Sequence, residues 1–205
     1  QGAGADRTFL DGGGAGTCLA LTGVQAIISG LTLCSGHADS GGGALCLNAQ
    51  AVFEDVRFAG NVADSHGAGL YASGGGAVEL RRCVLEDNTA AGSGGAICAN
   101  GVASLLLAES TLRRNRAGQG TLWLEGVPDA AIDACRFVGN VVAGDAGGIG
   151  LWASTAVVRS SVLACNEAGH GGGLYALDHS DVSLVYCTAT ANHVSAYGGA
   201  LRAAD

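Results

Sequence analysis

The stretch FVGNVVAGDAGGIGLWA, residues 137–153, contains the pattern that decides the fold. Asn140 follows the aromatic Phe137 by three residues, and a glycine pair with the aliphatic Ile149 comes nine residues after the asparagine. The same arrangement returns along the chain at intervals of 25 to 27 residues. The recurring asparagines are Asn61, Asn88, Asn115, Asn140, Asn166 and Asn192, and Gly36 has the same place one interval earlier. A period in this range indicates a repeat architecture rather than a single ligand-binding loop.

Apolar residues occupy matching places in the repeats and alternate with polar ones, as β-strands require. Eight residues before the anchors are Ile28, Phe53, Leu80, Leu107, Ile132, Val158 and Leu184, and three before them are Leu33, Phe58, Leu85, Leu112, Phe137, Leu163 and Ala189. About nine residues after the anchors are Leu45, Leu70, Ile97, Leu122, Ile149, Leu174 and Leu201. The fold class predicted from these short strands and glycine corners is all-β, a parallel β-helix solenoid with about eight coils of about 26 residues.

The solenoid accounts for the whole chain as one segment. Regular repeats cover residues 26–203, and residues 1–25 fit a partial first coil. Since the chain starts without a methionine, we expect it to be a segment of a larger protein. The formal net charge of −8 disfavours nucleic acid as a partner. No apolar run approaches the roughly 20 residues that a membrane-spanning helix needs, so no membrane span is expected.

The asparagine anchors are expected to form an internal ladder. Each side-chain amide would bond to the coils above and below, because buried amides need partners. Asparagine also tolerates the left-handed backbone that a corner requires.

The eight cysteines are interpreted by their places in the repeat. Cys83, Cys135 and Cys187 share an inward column with Ser110 and Ser161, and alternate coils lie too far apart for a disulfide. They are therefore predicted to be small core residues. Cys46 and Cys98 are placed on an outward column. A disulfide of Cys18 with either Cys34 or Cys46 is compatible with their places near the first coils.

Catalytic or metal chemistry finds little support in the side chains. The densest acidic group is Glu54, Asp55, Glu79, Glu86 and Asp87, but Arg81, Arg82, Arg113 and Arg114 interleave with it, which predicts a solvated face of ion pairs between neighbouring coils.

The histidines do not converge: His37 and His193 lie about six coils apart, and His66 and His170 about four. Asp145, with Asp39 and Asp64, is too sparse for repeated calcium sites, and without lysine no phosphate loop is complete. No cofactor or metal is expected.

The best candidate contact residues are large aromatics near one outward column. The repeat places Cys46, Tyr71, Cys98, Trp123, Gly150, Tyr175 and Arg202 in this column, with Trp152 close by. Aromatic side chains that face outward on a rigid strand face stack on sugars or pack against a partner. Tyr71, Trp123, Trp152 and Tyr175 are therefore the predicted partner or glycan contacts; the alternative is that loops or neighbouring domains cover them.

The repeat motifs also carry a family resemblance. FAGN, LEDN, LRRN, FVGN and LACN, combined with GGAL, GGAI and GGIG, resemble the polymorphic membrane protein repeats of the right-handed, pectin-lyase-like β-helices. The resemblance covers residues 31–201 and weakens at Leu124 and around Gly150. It implies a right-handed solenoid in a secreted or surface-displayed adhesive protein.

The expected function follows from that resemblance and from the scarcity of catalytic groups. It is a non-catalytic extracellular module of a large surface protein or filament that acts through protein–protein contacts. The expected partners are other chains or further domains stacked on the open ends of the solenoid, and glycans are a further candidate. The alternative is a glycan-binding or polysaccharide-cleaving β-helix.

Overall fold

The computed structural model describes residues 2–204, and these contain short β-strands and no helix. The strands of the first half are β1 (Phe9–Asp11), β2 (Leu19–Thr22), β3 (Gln25–Ser29), β4 (Thr32–Cys34), β5 (His37–Ser40), β6 (Ala44–Leu47), β7 (Gln50–Glu54), β8 (Arg57–Ala59), β9 (Val62–His66), β10 (Leu70–Ser73), β11 (Ala77–Arg81), β12 (Val84–Glu86), β13 (Thr89–Ala90), β14 (Ile97–Asn100) and β15 (Ser104–Ala108). Those of the second half are β16 (Thr111–Arg113), β17 (Arg116–Ala117), β18 (Leu122–Glu125), β19 (Ala130–Asp133), β20 (Arg136–Val138), β21 (Val141–Val142), β22 (Ile149–Trp152), β23 (Thr155–Arg159), β24 (Val162–Ala164), β25 (Glu167–Ala168), β26 (Leu174–Leu177), β27 (Asp181–Val185), β28 (Thr188–Thr190), β29 (His193–Val194) and β30 (Leu201–Ala203).

The strands form four parallel sheets that run the length of a solenoid. Sheet I has the order β1-β4-β8-β12-β16-β20-β24-β28, and sheet II has the order β2-β6-β10-β14-β18-β22-β26-β30. Sheet III has the order β3-β7-β11-β15-β19-β23-β27, and sheet IV has the order β5-β9-β13-β17-β21-β25-β29. The chain visits the sheets in the order II, III, I, IV, so coil 1 is β2–β5 and coil 7 is β26–β29. With the flanking β1 and β30, this confirms the predicted parallel solenoid of about eight turns.

The core is a set of columns in which one apolar residue per coil faces inward. Phe53, Leu80 and Leu107 stack in sheet III, and Phe58, Leu85 and Leu112 stack in sheet I, all fully buried. The solenoid therefore buries one continuous core along its axis.

One column differs from the sequence-based assignment in coil 2. Leu70 pairs in register with Ala44, and Tyr71 pairs with Leu45. Ala44 is therefore the inward residue and Leu45 the outward one, so the prediction for Leu45 was wrong. Cys46, predicted to face outward, is buried in the core beside Ala72.

The corners between sheets are made by residues in the left-handed region, one at most corners and two, Asp178 and His179, between β26 and β27. Between sheets I and IV this residue comes directly before the asparagine anchor, and its φ is 57° at Asp87, 55° at Arg114 and 64° at Gly139. The anchors themselves do not have positive φ, contrary to the expectation that the asparagines would supply the left-handed conformation.

The asparagine anchors form a hydrogen-bonded ladder inside the sheet I–IV corner. In each step the backbone N–H and Nδ2 of one asparagine donate to Oδ1 of the next, at 3.0 to 3.1 Å between Asn88 and Asn115. Nδ2 also donates to the carbonyl oxygen of a core residue in the preceding coil, as Asn115 does to Leu85 at 2.9 Å. The ladder runs through Asn61, Asn88, Asn115, Asn140, Asn166 and Asn192.

The first coil has Gly36 instead of asparagine, and Cys18 completes the ladder there. The Gly36 N–H donates to Oδ1 of Asn61 at 3.0 Å, and the Cys18 thiol lies 3.7 Å from the same oxygen. The thiol also donates to the Cys34 carbonyl at 3.2 Å. Cys18 thus contributes a hydrogen-bond donor rather than one half of a disulfide, and all eight cysteines are free thiols.

Candidate functional site

The outward face of sheet II carries the aromatic residues that the sequence singles out. Its first column, in register, is Ala20, Leu45, Tyr71, Cys98, Trp123, Gly150, Tyr175 and Arg202. Trp123 is only 4% exposed and Tyr175 only 6% exposed. The prediction that these two rings face an open surface is therefore wrong. The Trp123 ring lies against Gly150, where a Cβ would collide with it. The missing side chain at Gly150 is what allows this ring to lie flat.

The loops between sheets IV and II cover the rest of this column. His66 stacks on the half-buried Tyr71 with 6.3 Å between ring centroids, and His170 stacks on Tyr175 at 6.1 Å. His170 also stacks with Tyr197, with 5.9 Å between ring centroids, and Nδ1 of His170 lies 2.7 Å from Oδ1 of Asp145. The column is therefore a second small hydrophobic cluster outside the main core, and its own loops shield it.

The second outward column of sheet II presents the exposed aromatic. Trp152, in coil 6, is 46% exposed and pairs in register with Glu125 of coil 5 and Leu177 of coil 7. Four exposed carboxylates surround it at the corner between sheets II and III. We call this surface the Trp152 patch; it comprises Glu125, Asp129, Trp152, Asp178 and Asp181. Of the four predicted contact residues, only Trp152 combines an aromatic ring with a large exposed area.

The densest acidic group lies on sheet I and is held by arginines. Glu86 is 1% exposed, and its Oε2 accepts hydrogen bonds from Nε of Arg113 and Nη2 of Arg114, both at 2.7 Å. Nε and Nη2 of Arg57 donate to its Oε1. The predicted fully solvated ion-pair face is therefore wrong at Glu86, where three guanidinium groups cover a buried carboxylate.

Two further ion pairs extend this cluster. Arg114 forms a bidentate pair with Asp87 at 2.8 and 2.9 Å, and Arg82 forms one with Asp55 at 2.9 and 3.1 Å. We call the surface the arginine band; it comprises Arg57, Arg82, Arg113 and Arg114 with Asp55, Glu86 and Asp87. Each carboxylate accepts charge-assisted bonds, which leaves none free as a general base.

The arginines also decide the protonation of Glu86. Burial by itself raises the pKa of this carboxyl, but hydrogen bonds from Arg57 and Arg113 outweigh it, and the pKa ends below its ordinary value. Hydrogen bonding to Arg82 lowers the pKa of Asp55 in the same way, and Arg114 lowers that of Asp87. All three groups are therefore anionic at neutral pH.

The remaining candidates stay apart. His37 pairs with Asp64 at 3.0 Å on sheet IV, far along the axis from His193 in coil 7. Within residues 2–204, no three histidine, cysteine or acidic side chains are arranged to hold a metal ion. Burial raises the pKa of the Cys46, Cys83, Cys98 and Cys135 thiols to about 12, so these are packing groups rather than nucleophiles.

Comparison with known proteins agrees with this architecture. No helix within residues 2–204 has the length and hydropathy needed to cross a membrane. Neither curated proteins nor solved structures give a match to the chain. The family model described as "Right handed beta helix region" matches residues 18–203, which is most of the sequence. The chain therefore belongs to the right-handed β-helix family.

Proposed function

We propose that the chain is a non-catalytic structural and adhesive module of a cell-surface protein or filament, and that it acts through protein–protein contacts. The observation that carries the proposal is the Trp152 patch, an exposed indole fixed on a rigid sheet and rimmed by carboxylates. Aromatic side chains of this kind are enriched at the centres of protein interfaces. The extracellular location rests on the resemblance to polymorphic membrane protein and pectin-lyase-like repeats.

The acidic residues support contact rather than chemistry. Glu86, Asp55 and Asp87 form ion pairs with arginines, and Glu79 pairs with Arg81 at 2.9 Å on the same strand. A glycosidase needs two carboxylates that flank a sugar with different protonation states. The arginine band holds its three carboxylates in the same anionic state.

The ends of the solenoid are the second place where protein contacts are proposed. Leu201 belongs to the core column of Leu174, yet it is exposed at the C-terminal end, and Leu10 of the Leu33 column is exposed at the other. Stacking of a further coil or another chain would bury these side chains and pair the outermost strands.

Glycan binding is the alternative, and one exposed aromatic favours it. Tyr197 lies on the surface and stacks against His170, and the guanidinium of Arg202 lies 5.6 Å from its ring centroid. Aromatic rings of this kind also stack on sugars.

The experiment compares attachment and cleavage with one set of proteins. Beads coated with the native chain, Trp152→Ala or Tyr186→Ala are applied to cells, and the same proteins are incubated with a polysaccharide panel. Tyr186 is 91% exposed on the corner between sheets III and I, outside the patch, so its replacement is the matched control. We expect attachment by the native chain and by Tyr186→Ala, loss with Trp152→Ala, and no new sugar ends. Cleavage of any polysaccharide, or equal attachment by all three proteins, would overturn the proposal.

A further inference from the structure

We propose that the arginine band of one copy docks on the Trp152 patch of a second copy, which joins solenoids side by side in an open series. This inference rests on the proposed contact function and names the partner as another copy of the chain. Three features of the described residues carry it: the orientation of the guanidinium groups, the unpaired carboxylates around Trp152, and the spacing of both surfaces along the axis.

The arginine band presents guanidinium groups that are already fixed. Arg57, Arg82, Arg113 and Arg114 all use Nε and Nη2 for their carboxylates, so their Nη1 groups remain for a partner. All four side chains are about half exposed, although Glu86, the partner of Arg57, Arg113 and Arg114, is buried. The four arginines outnumber the three carboxylates that they hold, and Glu54 and Glu109 are further carboxylates near Arg82, whereas the chain as a whole carries −8. Preorganised donors lose little entropy when they bind an anionic surface.

The Trp152 patch offers the complementary charge. Glu125, Asp129, Asp178 and Asp181 are exposed, and within residues 2–204 none of them forms an ion pair with an arginine. His179 lies 3.5 Å from Asp178 and is charged only when protonated. Trp152 lies in coil 6, between the two coils that carry these carboxylates. A guanidinium placed there gains both an ion pair and a cation–π contact.

The two surfaces have the same axial spacing. In the arginine band, Arg57 lies in coil 2, Arg82 in coil 3, and Arg113 with Arg114 in coil 4. In the patch, Glu125 and Asp129 lie in coil 5, Trp152 in coil 6, and Asp178 with Asp181 in coil 7. Both surfaces therefore span two coil steps, about 10 Å at the spacing of paired strands.

A stagger of three coils, about 14 Å, aligns the two surfaces. Arg57 of one copy then faces coil 5 of the next, Arg82 faces Trp152, and Arg113 and Arg114 face coil 7. The band lies on sheet I and the patch at the corner of sheets II and III, so one copy uses a different surface for each neighbour. Because each contact also shifts the next copy by three coils along the axis, this heterologous contact does not close into a ring and produces an open series.

Sedimentation of the purified chain over a hundredfold concentration range tests the contact. In about 0.15 M salt we expect the average mass to rise with concentration, and in about 1 M salt we expect that rise to disappear because screening removes the charge pairs. Glu125→Lys with Asp181→Lys should abolish association, and Trp152→Ala should weaken it about tenfold. Tyr186→Ala should associate like the native chain.

Mixing two defective variants distinguishes this contact from other modes of association. Glu125→Lys/Asp181→Lys keeps the arginine band, and Arg82→Ala/Arg114→Ala keeps the Trp152 patch while Arg57 and Arg113 still hold Glu86. Each variant alone should be monomeric, and the mixture should form a dimer that does not grow. Circular dichroism checks that both are folded.

A native chain that stays monomeric, association that both variants retain, or a mixture that stays monomeric would each overturn the inference. The attachment experiment with beads does not depend on self-association, so it separates this failure from a failure of the proposed function.

Discussion

Replacement of Asn115 by alanine tests whether the asparagine ladder holds the coils together. The side chain of Asn115 makes four hydrogen bonds in the middle of the solenoid. Its Nδ2 donates to Leu85 and Asn140, and its Oδ1 accepts from the backbone N–H and Nδ2 of Asn88. Alanine removes all four and leaves the buried N–H of Asn88 without its acceptor. At about 1 kcal/mol for each of the four bonds, with about 1 to 3 kcal/mol more for the orphaned donor, we expect a loss of about 5 to 7 kcal/mol.

The assay is denaturant unfolding followed by circular dichroism, with two comparison variants. Asn192→Ala, at the C-terminal end of the ladder and only partly buried, should lose less than Asn115→Ala because it removes three bonds rather than four. Asn100→Ala changes a half-buried asparagine on the outward face of sheet II and should stay within about 0.5 kcal/mol of the native chain. A loss below about 1 kcal/mol for Asn115→Ala, equal to that of Asn100→Ala, would refute the reasoning.

Three other predictions concern the corner, the buried carboxylate and the thiols. Gly43→Ala should destabilise the fold by about 3 kcal/mol or more in the same unfolding assay, because its Cβ would lie 2.9 Å from Nδ2 of Asn61 and would collide with the Gly69 carbonyl. Gly60→Ala is the control: its Cβ would enter open space, and at a φ of 63° it should cost only about 1 kcal/mol of left-handed strain. Glu86→Gln should cost about 2 to 3 kcal/mol at neutral pH. The folded pKa of Glu86 lies below its ordinary value of 4.5, so the stability that this carboxylate contributes is present above pH 4.5 and is lost as the pH falls through the folded pKa. Melting curves should therefore show a smaller acid-induced loss of stability for Glu86→Gln than for the native chain. An equal loss would contradict the assignment. At about pH 8 a chromogenic thiol reagent should modify the exposed Cys165 quickly and Cys46, Cys83, Cys98 and Cys135 only on unfolding, and rapid reaction of all five in the native state would be inconsistent with the fold.

The period of the sequence is enough to predict the solenoid and most of its core columns. Residues such as Phe58, Leu85 and Leu112 recur one coil apart, and side-chain alternation within a strand fixes which of them face inward. The error at Leu45 has a local cause. The inward residue of sheet II follows the ladder position by eight places from Gly36 to Ala44, by seven from Asn115 to Leu122, and by nine in several other coils. Counting from the asparagine therefore cannot fix the register of sheet II.

Burial outside the core depends on contacts that the period does not contain. Trp123 and Tyr175 do point away from the core, but the loops between sheets IV and II pass over them. Gly150, a glycine between aromatic residues in the same column, was a signal that a neighbouring ring occupies its place. The pairing of Glu86 with arginines could be predicted from charges one coil apart, whereas its burial follows from three guanidinium groups that converge on one carboxylate.

The central claim is that this solenoid works by contact at the Trp152 patch, and site-specific photo-crosslinking tests it most directly. A photoreactive amino acid would replace either Trp152, which is 46% exposed, or the control Tyr186, which is 91% exposed, in the protein displayed on a cell surface. Crosslinked products from position 152, including a dimer of the chain, with few from position 186, are the predicted result. Equal yields from both positions, or no product from position 152, would contradict the account.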